Sequence, residues 1–204
     1  MYRFETAQPS YKGKNEFFDK VDALLGGVKW QCKEIDVKGD VPDLDKDPTG
    51  ATMRGATVEL WWRDPVECVR ELIGNPMFRN AKRFAPEQLF VDETGEKRLP
   101  PGATIAPLLL SSDKTMLSNF RGDNSAWPVY LTIGKETRRR VSAHATVLIG
   151  YLPIPKFDCF EKNTRSLAKY RLFHQCMSVI LACVVEAGKT GVKMVWADNF
   201  VRNV

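Results

Sequence analysis

Histidine is scarce, two in 204 residues, and no Ser/His/Asp or Cys/His arrangement can be read from residue order. Neither a Walker loop nor GxGxxG occurs, so nucleotide hydrolysis has no support. The five cysteines (Cys32, Cys68, Cys159, Cys176 and Cys183) are odd in number and none forms a CxxC pair. A disulfide framework or zinc knuckle within the chain is therefore not expected, and reduced thiols in a nuclear or cytoplasmic protein are. No apolar run approaches the roughly 20 residues of a membrane helix. The opening MYRFETAQPSYKGKNEFF lacks the apolar stretch of a secretory signal, so neither a membrane partner nor secretion is expected. Internal repeats and low-complexity tracts are absent.

What is present is ordinary globular material. The chain is 44% hydrophobic and 27% charged, enough to bury a core and stay solvated. Its length suits one domain with an extension, or two small ones. The net charge of +5 is compatible with nucleic-acid binding and equally with an ordinary basic protein.

The first hundred residues read as short helices and loops, a small, mostly helical N-terminal region. Asn15 to Leu25 spaces Phe17, Val21, Leu24 and Leu25 along one helical face, and Gly26-Gly27 ends it. Val28 to Val37 alternates in part and suggests a strand. Residues 38–56 are rich in Gly, Pro and Asp and read as an exposed loop or linker. Its cluster of Asp40, Asp43, Asp45 and Asp47 lacks the glycine and glutamate of a calcium loop, so a solvated turn is expected. Thr57 to Arg63 opens a new element. Asp64-Pro65 then starts a helix, with Asp as cap and Pro at the first helical position, and Gly74-Asn75-Pro76 stops it. Three segments are expected: 1–56 with the acidic linker, 57–102 as a helical lead-in, and 103–204.

From residue 103 the pattern changes. Ala103 to Ser111 reads as a buried strand, Ala126 to Ile133 as a second with Pro128 at an edge or bulge, and Ala143 to Leu152 as a third. A long helix is expected over Thr164 to Ala187, with Leu167, Tyr170, His174, Met177, Leu181 and Val184 on one face. His174 and His144 then read as core histidines, and Cys176 and Cys183 as core thiols. Lys193 to Ala197 is a fourth strand, ending at Asp198. Three antiparallel strands, a long helix and a fourth, parallel strand form the opening of an RNase H-like fold, an α+β or α/β class. Asp113 falls just beyond the first of these strands, where that fold carries its first metal-binding carboxylate. An aspartate there is also a common strand terminator.

Four stretches carry a resemblance: LWWRDPVECVRELIGNPMF, LPPGATIAPLLLSSDKTMLSNFRGDNSAWPVYLTIG, SAHATVLIGYLPIPK and YRLFHQCMSVIL. Together they resemble Plavaka transposases, of the CACTA superfamily of fungal DNA transposons, over roughly residues 28 to 200. Ser112-Asp113-Lys114 and Trp127-Pro128-Val129 are similar to a serine-aspartate block and a tryptophan-proline-valine strand in related elements. The resemblance implies metal-dependent DNA strand cleavage and transfer, Mg²⁺ or Mn²⁺ as cofactor, DNA and other transposase subunits as partners, and nuclear work. It also implies that Asp113 is the first of an acidic triad.

The departures point the other way for catalysis. In the family a run of alanine, aspartate, tyrosine and proline follows the segment like Trp196-Ala197-Asp198-Asn199, and carries the second acid. That run, the third acid and a cysteine-rich segment are not found here, nor is a tryptophan-rich insert between Asp92 and Leu99. The chain is therefore expected to stop before the core is complete and to be inactive alone. A non-catalytic DNA-binding or interaction protein derived from a transposase is the alternative. Asp198 is a second candidate ligand, although the family pattern makes it a turn residue; Asp123 also reads as a turn former. Lys135, Arg138, Arg139 and Arg140, between the second and third strands, are candidates for phosphate contact or a solvated hairpin tip. Trp61, Trp62 and Trp127 read as core before base-stacking residues.

Overall fold

The computed structural model describes residues 13–16, 27–78, 103–117, 125–134 and 146–204. Its centre is a five-stranded sheet in which every neighbouring pair is antiparallel. The strands are β1 (Trp30–Pro42), β2 (Met53–Arg63), β3 (Leu108–Ser112), β6 (Pro128–Ile133) and β7 (Thr146–Tyr151), in the order β1-β2-β7-β6-β3. Short β4 (Thr115–Met116) and β5 (Ser125–Ala126) pair with each other. Two longer helices, α1 (Pro65–Gly74) and α2 (Arg165–Thr190), cover one face of the sheet. The strand-strand-strand-helix-strand order is thus present in a mixed α/β fold. The expected helix over Asn15 to Leu25 lies mostly outside the described residues, as does His144.

The N-terminal region departs from expectation. Residues 38–56 are not a linker: β1 runs on to Pro42, β2 begins at Met53, and the two pair from Trp30↔Arg63 to Pro42↔Met53. The hairpin joins the main sheet through Trp61↔Tyr151 and Trp62↔Gly150, so the boundary expected after residue 56 falls inside β2. Glycine in a strand usually signals a break, but Gly39 serves a close approach. The Cys159 carbonyl accepts from Asp40 N at 3.0 Å and Val41 N at 3.2 Å, and any Cβ at position 39 would collide with it. Only 43–52 is turn. There Asp47 accepts from Thr49 N at 3.0 Å and Thr52 N at 3.1 Å, an Asx-type brace. Asp40 instead latches the hairpin to the start of α2, accepting from the Thr164 hydroxyl and from Glu161 N, which holds its carboxyl below the usual range.

The start of α1 is as expected. The Asp64 carboxylate accepts from Val66 N at 2.8 Å and Glu67 N at 3.3 Å, and Pro65 occupies the first turn. α1 buries Cys68, Val69, Leu72 and Ile73. α2 is set only partly as expected: Met177 and Leu181 pack half-buried against the core, but the first half of the expected face is turned outward. Its buried stripe is Ala168, Leu172, Cys176 and Ile180, whereas Leu167 and Tyr170 are 50% and 64% exposed. His174 is also exposed, edge-on to Tyr170 at a centroid separation of 4.3 Å. α2 is apolar on several faces, so spacings of three and four fit more than one phase. It is also long and apolar enough, by length and composition, to cross a membrane, which a search for unbroken apolar runs does not reveal. Here its stripe lies on Ile35, Leu60, Val129, Leu131 and Ile149 in one core.

Two strands also differ. β3 is an edge strand, with Leu109 and Leu110 exposed, and not a buried one. Pro128 opens β6, and the β6–β7 register shifts at Val129/Tyr130, so the bulge expected near it is present. β8 (Lys193–Val195) does not enter the main sheet as a parallel fourth strand. It folds back on β9 (Val201–Asn203), and the parallel bridge is Ala103↔Asn203, with Thr104 N donating to Asn203 O at 2.8 Å. The turn at 196–200 is what reverses the chain. All five cysteines are free; burial raises the Cys68 and Cys176 thiols to about 11, so both are protonated, inert core groups.

The setting of α2 is testable. Ile180→Ala is expected to lower stability by about 2–5 kcal/mol in urea unfolding, through reduced burial and a cavity. Tyr170→Ala on the exposed face should stay within about 0.5 kcal/mol. The reverse order would show that the other face is buried.

Candidate nucleic-acid site

Asp113 follows directly on β3. Ser112 pairs with Val129 at the start of β6, so Asp113 emerges at the end of the sheet where Pro128 and Tyr151 lie opposite each other. The backbone then enters β4, whose partner β5 leads through Trp127 into β6. Asp113 and Lys114 are exposed, and neither makes a hydrogen bond or ion pair among the described residues. Beside them Trp127 is half-buried. Its carbonyl accepts from Leu152 N at 2.8 Å, and its ring stacks on Phe173 of α2 at 5.5 Å.

Asp198 is in a different state. Its carboxylate accepts from both terminal nitrogens of Arg202, at 2.8 and 2.7 Å, and from Phe200 N at 3.1 Å. These bonds, the Arg202 pair first, hold its carboxyl at about 2. The Arg202 guanidinium also lies 5.1 Å over the Trp196 ring. This knot closes the β8–β9 turn, with Asn199 in the left-handed region at φ 66°. The turn precedes β9, whose Asn203 lies beside Ala103, upstream of β3. Asp113 lies downstream of β3. The two candidate ligands are therefore not brought together. Among the described residues no group of three His, Cys, Asp or Glu could hold a metal ion.

The expected phosphate contacts Lys135, Arg138, Arg139 and Arg140 lie outside the described residues, as does Asp123. The strands flanking the basic run are described. Ile133 pairs with Leu108 and Thr132 with Thr146. Of the tryptophans, Trp62 and Trp127 pack against the core as expected. Trp61 does not: it shares the outer face with Tyr151, is 43% exposed, and donates its indole N–H to Glu59 at 2.9 Å. Trp30, on the same face, stacks on Tyr151 at 5.8 Å, with Arg63 4.6 Å over its ring.

Sequence reading did not single out the basic residues that lead into and begin α2. Lys156, Lys162, Arg165, Lys169 and Arg171 fall within residues 156–171, against two acids, Asp158 and Glu161. Arg165 is committed to the Phe160 carbonyl at 3.0 Å and to Asp158 at 3.7 Å. The excess of cations over residues 156–171 was a visible signal.

Among known proteins, the family model described as Plavaka transposase matches residues 11–204. No curated protein and no solved structure matches.

The state of Asp198 carries a prediction. A carboxyl held low in the folded state contributes stability that is complete above its unfolded value near about 4 and is lost as pH falls through about 2. NMR titration of the Asp198 side-chain carbon should give a midpoint near 2. In Arg202→Met the midpoint should move up towards about 4. An unmoved midpoint would mean that the Arg202 pair is not the cause.

Proposed function

The chain belongs to the Plavaka transposase family, and from that premise we propose that it acts on DNA, with Asp113 as a metal-binding carboxylate of a strand-cleaving core of the CACTA type. The observation that carries this reading is the position of Asp113: exposed, without a partner among the described residues, at the end of the first strand of a β3-β6-β7-α2 series. In the same reading that series is the opening of an RNase H-like core, the basic run Lys135 and Arg138–Arg140 contacts DNA phosphates, and the work is nuclear, in a fungal cell.

Phosphodiester transfer by paired Mg²⁺ or Mn²⁺ ions needs several oxygen ligands converging on one place. The described residues do not fit such a site. Asp113 supplies one carboxylate, and Asp198 is bound to Arg202 in the β8–β9 turn. The function proposed for this chain by itself is accordingly DNA binding without cleavage, whether as a transposase-derived binding module or as one part of a larger transposase assembly.

Two measurements test this. Supercoiled plasmid incubated with the chain and Mn²⁺ should remain uncut; nicking that disappears in Asp113→Ala would replace the binding reading with an active enzyme. Duplex DNA binding should weaken as salt rises. Changing Arg138, Arg139 and Arg140 to Ala should lower the log–log slope by about one unit for each phosphate that is no longer neutralised. Affinity indifferent to salt would sink the phosphate-contact assignment.

A further inference from the structure

A cavity of about 260 Å³ opens beside Asp113, between the first half of α2, Trp127 and the segment 152–157. Its walls are mostly apolar, aliphatic along 152–155 and aromatic at three rings, Trp127 and Phe173, stacked on one another, and Phe157. Lys114, the residue after Asp113, and Lys169 on α2 also line it. Among the described residues neither lysine has an ion-pair partner and no acidic side chain lines the cavity. Lys169 lies 5.9 Å over the Phe157 ring.

Phe157 adds a second observation. It is buried, yet its φ is 58°, a left-handed conformation that a bulky residue rarely adopts. Such strain costs on the order of 1–3 kcal/mol and persists where surrounding structure fixes it, commonly at ligand-binding sites. Here the turn in which Phe160 N donates to the Phe157 carbonyl at 3.1 Å holds it. The strained backbone turns the Phe157 ring into the cavity wall.

We propose that this cavity binds one unpaired nucleotide of a DNA strand, its base against the aromatic walls and its phosphate on Lys114 and Lys169. The chemistry selects the ligand. Flat apolar walls suit a ring system, and two unneutralised ammonium groups at the same cavity call for an anion. The volume lies below the range of drug-sized pockets, so it admits a single base and not a base pair. A base must leave its stack to enter such a space. The inference rests on the DNA reading above and adds to it a preference for unpaired DNA at the Asp113 end.

The test uses the whole chain and labelled oligonucleotides followed by fluorescence anisotropy. Three probes of equal length are compared: a blunt duplex, a duplex with a short single-stranded tail, and the same tail carrying abasic sugars. The tailed duplex is expected to bind about tenfold tighter than the blunt one, and the abasic tail to lose most of that gain. Lys114→Glu with Lys169→Glu, both at exposed positions, should bring the tailed-to-blunt ratio to about one with an unchanged melting temperature. Equal binding of tailed and blunt duplexes, or a tail preference that survives the double variant, would overturn this proposal alone. Failure to bind any DNA would overturn the DNA reading as well.

Discussion

The seam between β2 and β7 is the constraint on which the rest of the structure depends. The hairpin β1–β2 is long and well paired, and β7-β6-β3 forms a second paired unit. Between them the ladder has only two register pairs, Trp61↔Tyr151 and Trp62↔Gly150. So short a ladder cannot hold two sheet halves by backbone bonds alone. α2 closes the seam from the inner face. Ile180 is fully buried over it, and a Cβ built on Gly150 would lie 3.2 Å from the Ile180 Cδ1. The glycine lets helix and sheet approach closely where β7 also touches Trp62. α1 supports the same place, because Arg63 and Asp64 connect it directly to the end of β2. The Asp40 latch ties the hairpin to the N-terminal end of α2. Helix setting, sheet continuity and the shape of the cavity at the Asp113 end are therefore one problem.

What could be read from sequence was mostly local. Asp64-Pro65 is a complete instruction for a helix start, because cap and proline act within one turn. The succession β3, β6, β7, α2 was visible because each element has its own apolar run. The β1–β2 hairpin was not. Its glycines, prolines and aspartates resemble a linker, and the reason for Gly39 is a carbonyl 120 positions away at Cys159. The phase of α2 was equally hidden, since Leu167 and Tyr170 are as apolar as the residues that the sheet chose to bury. The site divides the same way. Asp113 follows from its place after a strand. The grouping of Lys114, Phe157 and Lys169 depends on tertiary approach, and no spacing announces it.

The contrast between Asp113 and Asp198 constrains how any metal centre could be built. Both are aspartates after predicted strands, and residue order alone gives them the same place. Asp198 is held low by a two-pronged guanidinium pair, so a cation there would first have to displace Arg202. Removing that carboxylate from its partner would also open the turn that brings β9 alongside Ala103. Asp113 has no such commitment among the described residues and braces nothing. A carboxylate free to rotate at a strand end can accept a hard cation at little structural cost, but a single exposed carboxylate binds one only weakly, because a hard cation needs several oxygen ligands. On the proposed reading, further ligands would have to come to the Asp113 end, into a space bordered by Lys114, Trp127 and the start of α2. That border is cationic and aromatic, which favours the approach of a DNA strand. The strand's own phosphate oxygens would then be the nearest further ligands to an ion on Asp113, and that makes DNA binding the step on which any metal chemistry here would have to wait.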